Sequence, residues 1–107
     1  MGTSEEIDRL IALHVMGWVK KGTAIVSPCK SMSFRFREKP CPVNYSSDIK
    51  HAWDVLDVVI NDIEYWKITS LGDKFEVVFD DHVEVGKTAP LAICLAALAL
   101  RGKYKNG

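Results

Sequence analysis

Gly86-Lys87-Thr88 stands between a strand pattern and a helix pattern, where a phosphate-binding loop carries its lysine and hydroxyl. The complete loop also needs a glycine at position 81. The residue there is Asp81, whose carboxylate repels the phosphates such a loop must cradle. What is left is a set of free amides at a helix start with Lys87 beside them, able to hold a phosphate, or a plain cap by Thr88 with Pro90 in the first turn. Arg35 and Arg37 alternate with Phe34 and Phe36. They form either a solvated strand edge or, with an aromatic opposite, an anion-binding wall. Trp18 and Tyr45 lie just outside helix ends, where an aromatic either staples the helix or stacks on a planar ligand. Trp18, Arg35, Arg37, Tyr45, Lys87 and Thr88 are therefore the candidate ligand-binding set, with rings for a base and cations for phosphates.

The remaining reactive side chains make a poorer case. His14, His51 and His82 have no metal-ligand partner at helical spacing and there is no C-x-x-C, so neither a metal site nor a cofactor is expected. His14 reads as a hydrogen-bonded residue at the edge of the core. Cys94 lies inside an apolar helix pattern, where a thiol stays protonated. Nothing near Cys29 or Cys41 resembles an activated Cys-His nucleophile. Asp80, Asp81 and Glu84 read as a solvated turn rather than a catalytic carboxylate group. The expectation is a protein that is not an enzyme.

With 48% apolar and 26% charged residues in 107, the chain reads as one globular domain, 1–107. Its 14 basic and 14 acidic residues cancel, leaving no global field to draw it onto nucleic acid or an anionic membrane. Three scattered cysteines, with Glu5, Glu6 and Asp8 where a secretion signal has its basic stretch, suggest a reduced, cytoplasmic setting.

The elements that must position these residues are legible in outline. Thr3-Ser4-Glu5-Glu6 is a capping box opening a first helix. Its apolar face is Ile7, Leu10, Ile11, His14 and Val15, with Glu5, Asp8 and Arg9 on the wet side and Gly17 as the stop. Thr23 to Val26 and Ser31 to Arg37 are strand candidates, and Pro40 and Pro42 end regular pairing. Ser46 is the expected N-cap of a second helix, whose stripe is Ile49, Ala52, Trp53, Leu56, Val59, Ile60 and Ile63. Tyr65 to Leu71 and Lys74 to Phe79 form a hairpin about Gly72-Asp73, and His82 to Val85 continues it. Trp53 and Trp66 are expected in the core. The third helix is apolar from Ala89 to Leu100, 12 residues, short of the ~20 that span a bilayer. A helix apolar all round must be covered on every side, by a sheet and other helices or by a second copy. The order predicts an α+β fold, a small antiparallel sheet covered by three helices, and a homo-oligomer of two or more copies is expected, with the third helix at or near the contact.

Leu10 to Trp18, Tyr45 to Ile49, Ala52-Trp53 and Thr88 to Leu98 together resemble the phage ABA sandwich domain family of small phage and prophage proteins. The resemblance implies a layered α/β/α sandwich and a phage or prophage origin, and carries over no catalytic residue. Together with the candidate set it suggests a counter-defence sponge that sequesters a host nucleotide-derived immune signal, a cyclic dinucleotide or cyclic ADP-ribose type, in the host cytoplasm. The alternative is a protein–protein interaction module with no small ligand. A small phosphodiesterase ranks third and nucleic-acid binding fourth.

Overall fold

The computed structural model describes residues 4–21, 24–26 and 44–102, with backbone alone at 4, 5, 19–21 and 24–26. Helix α1 (Ser4–His14) is followed by a short antiparallel pair, β1 (Val19–Lys21) and β2 (Ala24–Val26). Helix α2 (Ile49–Val59) runs into a single 3-10 turn, Ile60–Asp62. Strands β3 (Trp66–Ser70), β4 (Phe75–Phe79) and β5 (His82–Gly86) form an antiparallel sheet in that order, and α3 (Ala89–Leu100) closes the fold. This is the α+β arrangement of three helices and a small antiparallel sheet that the pattern predicts. The Ser31–Arg37 candidate and the Thr3 cap fall outside the described residues.

Two tight turns fix the sheet. Leu71 N–H donates to Lys74 O at 2.8 Å around Gly72, whose φ of +96° suits only glycine without strain. At the other turn Phe79 pairs with His82 around Asp80-Asp81, and Asp80 itself takes φ 52°. Asp80 holds that conformation with its carboxylate: Oδ1 accepts from Glu64 N–H at 3.1 Å and Tyr65 N–H at 3.0 Å, tying the turn to the start of β3. With strict alternation, the register puts Trp66, Ile68, Ser70, Phe75, Val77, Phe79, His82, Glu84 and Gly86 on one face. Lys67, Thr69, Glu76, Val78, Val83 and Val85 form the other.

Helix α3 lies on β4 and β5 and packs its remaining sides on α2 and α1. Every residue from Ala92 to Ala99 is buried, as is Pro90. The requirement that an all-apolar helix be covered is thus met inside one chain, with no second copy. The alanines let the neighbours come close, and at Gly86 an added Cβ would lie 2.7 Å from Ala92 N.

Three expectations about the helices are corrected. The N-cap of α2 is Asp48, which accepts from Lys50 N–H at 3.0 Å, and not Ser46. The buried side of α2 is Ala52, Val55, Leu56 and Val59, so Ile49, Trp53 and Ile60 stay exposed. On α1 the buried side is Ile7, Asp8, Ile11, Ala12 and Val15, while His14 is exposed and Leu10 only partly covered. In each case the apolar arc is wider than the contact α3 offers, and the helix turns its smallest residues, Ala12 or Ala52, inward. Trp53 and Trp66 are likewise not core, at 45% and 40% exposed. Trp66 has the core-facing parity but sits on β3, a strand that α3 does not cover.

Candidate functional site

The two aromatics of the candidate set sit on either side of the α1 and α2 ends. Trp18 N–H donates to Ala12 O at 2.8 Å, which folds the residue back over the end of α1, and the indole is buried. Tyr45 lies in the turn ahead of α2, where Ser47 and Asp48 N–H both donate to Asn44 O. Its ring is buried and meets His51 edge-on, with centroids 6.3 Å apart. Both aromatics belong to the same core cluster as α3, the packing role that the sequence left open beside stacking.

This turn is anchored from an unexpected side. Asp8, assigned above to the wet face of α1, is buried, and its Oδ1 accepts from the buried Ser46 N–H at 2.7 Å. A charge-assisted bond to a backbone amide is a strong contact, and here it locks α1 to the entry of α2 across 38 positions of sequence. Burial pushes the Cys94 thiol far above its ordinary range, and the Asp8 charge adds to that shift. Cys94 is therefore inert, as its position in an apolar helix suggests. Asp48 Oδ2 lies 3.8 Å from His51 Nε2 at the half-exposed surface, too far for the hydrogen bond that orients a catalytic imidazole.

At the start of α3, Thr88 is the N-cap: its Oγ1 accepts from Leu91 N–H at 3.3 Å. Lys87 beside it is exposed. Arg35, Arg37, Cys29 and Cys41 lie outside the described residues. Among the described residues no group of three His, Cys, Asp or Glu is placed to hold a metal ion, and no helix is long and apolar enough to cross a membrane.

The three carboxylates read as a solvated turn separate into three roles. Asp81 is exposed, Asp80 is a structural brace, and Glu84 is buried with Oε1 lacking a hydrogen-bond partner among the described residues. Register is what conceals Glu84. Valines flank it, which suggests that Val83 and Val85 point inward, but a two-residue turn pairs His82 with Phe79 and so turns the even-numbered residues to the core face. Burial raises the Glu84 carboxyl above its ordinary 4.5, with the His82 charge pulling weakly the other way. A carboxyl raised on folding binds more protons folded than unfolded, so its contribution to stability is lost as pH climbs from about 4.5 through the higher folded value. Glu84→Gln is therefore expected to melt higher than wild type at pH 7, by the equivalent of roughly 1 kcal/mol. The difference should close near pH 4. Thermal melts at both pH values check this, and an equal difference at both would contradict it.

The phage ABA sandwich domain family matches residues 9–98. A crystal structure of a phage protein from Bacillus cereus ATCC 14579 is similar, with a TM-score of 0.58 and 29% identity over 92% of each chain. No curated protein matches the chain. The family match takes in α1 from position 9, all of α2, the sheet, the Asp48 and Thr88 caps and α3 as far as Leu98, and the chain belongs to the phage ABA sandwich domain family.

Proposed function

We propose that this chain is a non-catalytic binding protein of a phage or prophage, and that it docks on another protein through the edge of β3 left unpaired among the described residues. The observation that carries this reading is the exposure of Tyr65, Trp66 and Leu71, at 53%, 40% and 43%, on and beside a strand that ends the sheet. An edge strand presents unpaired backbone groups to an extended peptide, and flanking aromatics supply the pockets that select it. Lys67 is the single charge in β3, a thin guard for such an edge. Retention of host proteins by the immobilised chain, compared with its Tyr65→Ala/Trp66→Ala variant, tests this. A stoichiometric partner held by wild type and lost by the variant supports it; equal retention by both removes it.

A second reading is sequestration of a nucleotide-derived immune signal of the cyclic dinucleotide or cyclic ADP-ribose class in the host cytoplasm. Lys87, exposed beside the first turn of α3, favours it, with Arg35 and Arg37 as further cations for phosphates. The burial of Trp18 and Tyr45 removes the two rings meant to stack on the base, which is why this reading stands second. Calorimetric titration with a panel of these nucleotides decides it: saturable heat supports sequestration, and silence from a folded sample ends it.

A further inference from the structure

Helix α2 carries more apolar surface than the other described residues cover. Ile49, Trp53 and Ile60 are 42%, 45% and 38% exposed. At 100° per residue they fall within an arc of about 40°, one stripe running the length of the helix beside the buried one. Lys50 and Asp57 border that stripe on its outer side, within about 20° of each other. Both are exposed, and neither joins an ion pair among the described residues. Positions 50 and 57 are also equally distant from the point just past Trp53. If two copies of α2 lie antiparallel about a two-fold axis there, each Lys50 comes level with Asp57 of the partner subunit on the same rim. The two Trp53 rings then meet across the axis. A stripe with its charges arranged this way is complementary to itself, which is what a two-fold contact demands.

We infer that α2 is the contact of a homodimer, antiparallel about Trp53, with two Lys50 pairs to the partner's Asp57 along one rim, one on either side of the axis. The enclosed helix α3 takes no part in it. Light scattering during size exclusion tests this with the full chain at tens of micromolar concentration. Wild type should run at twice the chain mass, and Trp53→Ala, at an exposed site, should run as a folded monomer by circular dichroism. Lys50→Asp and Asp57→Lys each place two like-charge contacts in the interface and should each raise the dissociation constant by about tenfold or more. Mixing the two single variants in equal amounts, or combining both changes in one chain, restores opposite charges and should restore the dimer. A monomeric wild type overturns the proposal. So does a mixture that dissociates as readily as either single variant, because that shows the charges do not face each other.

Discussion

Leu98→Asp is expected to leave no folded protein at room temperature. Leu98 is fully buried, on the helix that touches the sheet and both other helices. Removing the leucine side chain from such a site costs about 2–5 kcal/mol. A carboxylate left there without a partner adds several more. The sum rivals the whole stability of a domain this size, about 5–15 kcal/mol. Far-ultraviolet circular dichroism and amide dispersion in a proton spectrum at pH 7 should both report an unfolded chain, whereas Leu98→Met, which keeps the volume, should stay folded and lose under about 1.5 kcal/mol. The experiment also separates two reasons for an apolar helix. If α3 met a second copy instead of its own sheet, Leu98→Asp would give a folded monomer.

Gly86→Ala is expected to lower stability by about 3 kcal/mol, the upper part of the range for overpacking. The added Cβ would sit 2.7 Å from Ala92 N, 3.0 Å from Ala92 Cα and 3.2 Å from Leu91 C. All three are backbone atoms of α3, so no rotamer change relieves the clash. Either β5 or the first turns of α3 must move, and the two are joined by only Lys87 and Thr88. A fall in melting temperature of roughly 10–20 °C follows from the usual conversion for a chain of this length. Trimming residue 92 to glycine should not rescue it, because the obstruction is main chain. A Gly86→Ala protein that melts with wild type would show that strand and helix stand farther apart than described here.

Gly86 shows how a local motif and its structural reason can diverge. The Gly-Lys-Thr triplet draws attention as a fragment of a phosphate loop, yet the glycine is needed for helix-on-strand contact and the threonine for capping Leu91. Boundaries and caps with local chemistry were readable: Thr88, the Gly72 hairpin and the three strands of the sheet follow from neighbouring residues alone. The direction in which each amphipathic helix faces was not. Asp8 looks solvated because nothing within its helix explains a buried carboxylate; the explanation is the Ser46 amide, 38 residues away. Trp53 and Trp66 look like core because they are large and have the right parity, but α3 covers neither. Their places went to Trp18 and Tyr45, drawn in by main-chain turns at helix ends. Of the candidate ligand residues, the two aromatics lie in the core, Thr88 is exposed but occupied as a cap, and Lys87 is exposed beside it.

The helix at the centre of the molecule is encoded after every other described element. While the ribosome is still adding residues before Pro90, the sheet has nothing beneath its apolar face, and α1 and α2 have no common surface to rest on. Acquisition of the native state must therefore wait until residue 100 has cleared the exit tunnel. A chain cut short just before Pro90 would hold every described element but α3 and have no way to assemble them.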